Sequence, residues 1–350
     1  MHRWLALIAA VLACAGCAMT VDLPYYWQSA RGHLALLQAA RPLTDVLALP
    51  DVDPGLRRRL ETARDLRAYA SRHLGLPDNA SYTRYADLGR PFVVWNLVAA
   101  PELSLDLKQW CFPVAGCVTY RGYFDQEAAQ AHAARLRQEG WETYVSGVPA
   151  YSTLGWFDDP LLNTFLHYPQ AELARLIFHE LAHQVVYLKG DSAFNESFAT
   201  AVEEAGVARW LADHGDDAMR ARYAAFAQRR QQFVELLQRH RERFAQIYRR
   251  EAAVPERRAA KHEAIAALRA EYEQLKQSWG GFAGYDRWFA QPLGNAHLGS
   301  VATYNQWVPG FRRLLAEQGG DLPRFYAAVR RLADLPEAER ARQLSGQGPL

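Results

Sequence analysis

The 350-residue chain carries 40 Lys and Arg against 38 Asp and Glu, a formal net charge of +2, so its charge gives no reason to expect nucleic acid as a partner. Half of the residues are hydrophobic and 22% are charged. That excludes a disordered or collagen-like chain and suits a soluble fold with a substantial core.

The N-terminus stands apart from that fold. Met1-His2-Arg3 is a short basic start, and residues 4–15 form a continuous apolar run. The run is too short to span a bilayer and fits the core of a signal peptide. It ends in Cys14-Ala15-Gly16-Cys17. Small residues ahead of a cysteine resemble the lipobox of bacterial lipoproteins, although Cys14 stands where an aliphatic residue is usual. The resemblance implies a signal peptide over residues 1–17, lipid attachment at Cys17, and a single domain over residues 18–350 anchored in the cell envelope and facing the periplasm. No aspartate directly follows Cys17, which by the same resemblance favours the outer membrane. An ordinary secretory signal or a plain membrane anchor is the competing reading.

Residues 25–76 have apolar positions at helical spacing (Leu34 and Leu37, then Leu56, Leu60, Leu66 and Tyr69), broken by Pro42, Pro50 and Pro54. The texture then changes. Residues 92–98 and 118–124 are β-branched and aromatic and predict strands; residues 125–140 predict an amphipathic helix capped by Asp125; residues 142–148 predict another strand. Cys111 and Cys117 lie in a segment bent by Pro113 and Gly116. After export to an oxidising compartment, a small disulfide loop joining them is expected.

Residues 171–188 predict a helix stopped by Gly190, and Asp191 or Ser192 can cap the next one, residues 194–214. Residues 220–272 read as a long charged pair of antiparallel helices interrupted near Val254-Pro255, projecting from the body. Gly280-Gly281 and Gly294 precede a final helical part over residues 301–332, and the tail after Pro336 is polar and expected to fray. The fold class is therefore α+β, mostly α: a small sheet, a group of helices and a long helical hairpin.

Within the first of those helices stands Phe178-His179-Glu180-Leu181-Ala182-His183-Gln184. Positions i and i+4 of a helix share a face, so His179 and His183 can aim two imidazoles at one zinc ion. Glu180 lies one step round the helix, placed to take a proton from zinc-bound water and return it to a leaving amine. The rest of the face is apolar, and buried histidines and a buried glutamate without partners are costly. A cation offsets that cost; a plain structural helix would need a separate partner for each group.

A third ligand is required. Asn195-Glu196-Ser197-Phe198-Ala199, opening the next helix, resembles the Asn-Glu-x-x-Ala of the glutamate-zincin peptidases, the clan of thermolysin and the alanyl aminopeptidases. That match implies a zincin-like fold and Glu196 as third ligand. Only twelve residues separate His183 from Glu196, fewer than in those families. Glu203, with nineteen between, is the rival ligand, or a carboxylate that accepts the outer N–H of a zinc histidine. Over most of its length the chain is also similar to a family of bacterial lipoproteins named putative aminopeptidases, through Tyr25-Tyr26, the Cys111–Cys117 segment, residues 151–160, the two motif helices and residues 295–311.

The clan also implies a distant Tyr or His that donates a hydrogen bond to the developing oxyanion. Residues 294–305 are the best source, with Tyr304 first and His297 second, while Asn295 orients the loop. Residues 151–155 read as a strand that could pair with a peptide, and an ordinary strand with a turn at Gly155 is the alternative. Asp158 and Asp159 could hold a peptide amine or cap the turn before Pro160. The function these readings support is a zinc-dependent aminopeptidase acting on peptides in the envelope. The alternative is an envelope chaperone or assembly factor that keeps the metal and uses the hairpin as a binding arm. Oligomeric state stays open.

Overall fold

The computed structural model of the chain describes residues 22–112 and 116–347, with the backbone alone at Ala302, Thr303 and Tyr304; Cys17 lies outside the described residues. Helix α1 (Leu23–Ala39) leads into β1 (Arg41–Pro42), α2 (Leu43–Leu47) and α3 (Pro54–Leu74). Eight short strands are interleaved before the helical half: β2 (Arg84–Ala86), β3 (Val94–Pro101), β4 (Trp110–Phe112), β5 (Gly116–Val118), β6 (Arg121–Tyr123), β7 (Trp141–Val148) and β8 (Leu161–Leu162) complete the set, with α4 (Gln126–Gln138) between β6 and β7. The helical half runs α5 (Asn163–Leu166), α6 (Gln170–Ala182), α7 (Ser192–His214), α8 (Asp217–Arg249), α9 (Val254–Ser278), α10 (Asp286–Phe289), α11 (Asn295–Asn305), α12 (Val308–Glu317), α13 (Leu322–Ala333) and α14 (Glu337–Ser345). The described chain is thus mostly helical with small sheets, and no described helix is long and apolar enough to cross a membrane.

The main sheet is antiparallel in the order β6-β3-β7. Strand β3 is buried on both faces, which is why its sequence is a continuous apolar run rather than an alternation. Trp95, Leu97 and Ala99 pack against Ala129, Ala133 and Leu136 of α4, while Val98 and Ala100 meet Ala296 of α11 on the other side. Asp125 caps α4 by accepting from the Ala128 N–H at 3.0 Å. A second sheet, β1-β2-β8, and the β4-β5 ribbon flank it. The ribbon aligns Cys111 with Cys117, and the two are disulfide-bonded.

The largest core joins α3, α6, α7, α12 and α13 through Leu60, Leu74, Phe178, Phe198, Phe311 and Phe325, all essentially inaccessible. Gly206 lets α7 approach closely: a Cβ there would come within 2.8 Å of Leu74 and 2.9 Å of Phe178.

Four sequence expectations are corrected. Residues 151–155 form no strand. The carboxylate of Asp159 accepts from the Thr153 N–H at 2.9 Å and from its hydroxyl at 2.8 Å, and this brace bends the chain through positive φ at Leu154 (58°) and Gly155 (82°). Residues 118–124 are two short strands with a break at Thr119-Tyr120. The tail does not fray: α14 buries Leu344, and Arg340 pairs with Asp191 at 3.0 Å.

The hairpin, α8 with α9, does not project. Its inner faces bury Phe233, Leu237, Phe244, Leu268 and Tyr272 together with Phe289 and Leu298 of the body. Its far end is tied down as well. Lys261, 4% exposed, donates to the Glu102 carbonyl at 2.7 Å and pairs with Glu142. The other oxygen of Glu142 accepts from the Asn295 N–H at 2.6 Å. Tyr248 donates to the Asn295 side chain at 2.7 Å, and that side chain donates on to the carbonyls of Pro101 and Glu102.

Lys261→Met strips the Glu142 carboxylate of its cation. We expect a loss of roughly 1–3 kcal/mol in unfolding free energy, read from denaturant melts, and a smaller loss for Arg258→Ala on the exposed surface nearby. Equal melts for wild type and Lys261→Met would show that the hairpin is held by its apolar face alone.

Candidate metal centre

Helix α6 ends at Ala182, with His183 at its C-cap still in the right-handed helical region (φ −59°, ψ −22°). The i, i+4 relation therefore survives, and the rings of His179 and His183 lie 4.8 Å apart, edge to face. The helix is shorter than its sequence predicts because Gln184 is drawn away, accepting from Asn79 at 2.7 Å and donating to Ser81 at 3.2 Å. The connection to α7 is then clamped by Asn195. Its amide accepts from the Leu188 N–H at 2.7 Å and donates to the Leu188 carbonyl at 2.8 Å. Asp191 caps α7 through the Phe194 N–H at 3.0 Å.

That clamp is what lets a connection of only twelve residues deliver Glu196. Its Oε2 lies 3.3 Å from His179 Nε2 and 3.8 Å from His183 Nε2, and the two Nε2 atoms are 3.2 Å apart. His179, His183 and Glu196 thus form a possible metal site, their three donor atoms all within 4.8 Å of one another. Glu203 does not join them. It stands behind His179, its Oε2 at 2.9 Å from Nδ1, in the position of an acceptor for the outer N–H of that ring.

Glu203 is completely inaccessible and is met by two guanidinium groups, Arg175 at 3.0 Å and Arg230 at 2.6 Å. Burial alone would raise its carboxyl, but Arg230, Arg175 and His179 outweigh burial and hold it well below the usual carboxylate range. Burial likewise works against a charge on His179, yet hydrogen bonds to Glu196 and Glu203 push that ring up to about 10. His183, buried with weaker support, is pushed down to about 4.

These directions test the fit to a metal. The carboxylates of Glu196 and Glu203 draw positive charge onto His179, and a cation at Nε2 answers the same field with the outer N–H still directed to Glu203. His183 is neutral and offers a lone pair. Two imidazoles and one carboxylate are the donor types that suit zinc. Glu180, half-buried, has no hydrogen-bond partner among the described residues; burial raises it to about 7 against the opposing charge of His179.

The remaining sequence candidates are His297, Tyr304, Asp159 and Asn295. His297 is 3% exposed and lies between the rings of Tyr144, 4.1 Å away, and Trp288, 5.7 Å away. None of its recorded contacts is with the three donors or Glu180. Tyr304 belongs to α11, and its side chain lies outside the described residues. Asp159 braces the 151–159 turn, and Asn295 is a structural tie, not a site group.

Sequence reading missed Arg175 and Arg230. Arg175 could have been found, since it lies four positions before His179 and shares its face. It also missed Tyr82 and Tyr120. Tyr82 is 1% exposed, sits at φ 64°, and has no partner for its hydroxyl among the described residues. Burial, then Glu180 and Asp159, raise its ionisation well above the ordinary value. Strain of that kind in a buried residue is a mark of functional sites.

A family model described as "Putative aminopeptidase" matches residues 24–344 of the chain. No curated protein and no solved structure matches it.

Replacing the donor and the residue behind it should separate their roles. Glu196→Ala should lose the metal on dialysis against a mild chelator. Glu203→Gln should keep it with about 10–100-fold weaker affinity, while losing about 2–4 kcal/mol of stability because two partly hydrated guanidinium groups lose their counter-charge. Metal analysis and thermal melts read the two effects; the reverse ranking in metal retention would make Glu203 the ligand.

Proposed function

Since the chain belongs to the putative aminopeptidase family, we propose that it is a zinc-dependent peptidase that removes residues from the amino ends of peptides in the cell envelope. The observation that carries this reading is the convergence of His179 Nε2, His183 Nε2 and Glu196 Oε2 beside the unpartnered carboxylate of Glu180. His179, His183 and Glu196 would hold the zinc. When bound, it supplies Lewis-acid chemistry, activating water near neutral pH and polarising the scissile carbonyl.

The remaining work falls to the chain. Glu203 fixes the tautomer and direction of His179 by accepting from Nδ1. Glu180 takes the proton from the attacking water and passes it to the leaving amine, so that one carboxylate serves as base and then as acid. Asp159 braces the Thr153 turn, whose Gly155 packs against the side chain of Gln184 directly after His183. A carboxylate left free of internal partners beside three donors has no structural task, and that favours turnover over a purely structural metal.

Glu180→Gln should retain one zinc per chain and lower kcat by roughly 10²–10⁴ on aminoacyl reporters; undiminished turnover would remove this mechanism. N-acetylated reporters should be cleaved poorly, and equal cleavage would make the enzyme an endopeptidase.

Attachment to the envelope through Cys17 is part of the same proposal. Cys17→Ala should abolish incorporation of labelled fatty acid and move the chain out of the membrane fraction. Continued lipid labelling would place the anchor elsewhere.

A further inference from the structure

Between the main sheet and the hairpin lies a cavity of ≈ 470 Å³, well within the size range of ligand clefts. Its floor is the sheet face carrying Val98 of β3 and Tyr144 of β7, which stand opposite each other in the register. Its wall is aromatic: Phe233 of α8 stacks on Tyr285 at 4.0 Å and meets the edge of Trp288 at 5.5 Å. Rings locked against one another in this way make a rigid apolar surface that favours edge-to-face contact with another ring.

One lining residue ties this cavity to the groups around the metal centre. Arg230 lines it, and its guanidinium lies 2.6 Å from Glu203 Oε1, the carboxylate whose other oxygen faces His179. Tyr120 lines it as well.

The lining contains no Asp, Glu or Lys, and its single charged group, Arg230, is already paired with Glu203. A basic side chain entering here would shed water and gain no partner, and an acidic one would have to compete with Glu203 for Arg230. An aromatic or large aliphatic one would bury its surface against matching walls.

From this continuity and this chemistry we infer that the cavity is the specificity subsite of the metal centre, receiving the bulky uncharged side chain beside the scissile bond of a peptide substrate. The inference rests on the peptidase reading for its setting, and its test separates the two.

With the zinc-loaded full chain, reporters bearing Phe or Leu should be cleaved with kcat/KM at least about 10²-fold above those bearing Ala, Glu or Lys, since each added methylene in such a pocket is worth roughly 10–200-fold. Val301→Trp fills the cavity and should collapse the Phe-to-Ala ratio while zinc content holds. Should that variant fail to fold, Val234→Lys, at a half-exposed position on the hairpin, should shift preference from Phe toward Glu.

Titration of phenylalanine amide, with its amine free, into the metal-stripped protein, followed by calorimetry, reads the subsite without any turnover. Binding of the Phe amide in preference to the Glu amide, lost in Val301→Trp, supports the subsite even if no reporter is cleaved, and in that case the peptidase reading alone fails. Cleavage without side-chain preference overturns the subsite and leaves the peptidase standing. A preference unchanged in both variants, or Phe and Glu amides that bind alike, overturns it too.

Discussion

One buried carboxylate organises this molecule. Glu203 has no access to water and must satisfy four or more lone-pair directions inside the protein. It does so with three partners from two helices, His179 and Arg175 from α6 and Arg230 from α8, while Glu203 itself sits on α7. A buried ion pair adds little net stability, because desolvation consumes most of the attraction. What it does add is geometry. Any slip of α6, α7 or α8 past the others would strand a charge, so the three helices are confined to one relative placement, and the direction of the His179 ring is fixed along with them.

That constraint explains how the motif helices hold their register without elaborate connections. Gly206 permits a close crossing at one end of α7, and Asn195 clamps the loop at the other through both polar groups of Leu188. Glu196 lies between these two fixed points, so its carboxylate reaches both imidazoles across a short link. Length of the connection is a poor guide here because the loop is braced, and a braced loop delivers its residues where the clamp dictates.

The chain announced the part of the site that is local. His179 and His183 share a helix face by spacing alone, and Glu196 and Glu203, seven positions apart, share the next, so four of the five groups could be placed on a common face from helical periodicity, with Glu180 one step round. The choice between the two glutamates turned on the short motif around Asn195, and the structure gives that asparagine a physical task. The groups that escaped notice arrive from far along the chain: Arg230, 27 residues beyond its carboxylate partner, and Tyr120, in a break between two strands. His297 shows the same limit in reverse. A histidine after a glycine-bounded loop reads as polar and available, whereas its burial between Tyr144 and Trp288 depends on the sheet and on α10, neither of which its neighbours in sequence report. The 151–155 segment misled because Thr153, Leu154 and Tyr151 have strand character, and a single carboxylate at Asp159 outbid that preference.

The fate of the hairpin follows from the same logic and changes what it can do. Charged and regularly helical, residues 220–272 look like an arm free to reach a partner. Their charges are in part already committed, Lys261 to Glu142 and Arg230 to Glu203, and their apolar stripe is spent against Phe289 and Leu298. An arm so engaged cannot swing out without taking a cation away from a carboxylate at each end, and the cost of that holds it shut over the sheet. The hairpin is therefore a wall and not an arm. Because Arg230 both lines the cavity and grips Glu203, the surface that would select a substrate and the shell that orients His179 are parts of one rigid body. Neither can shift without disturbing the other.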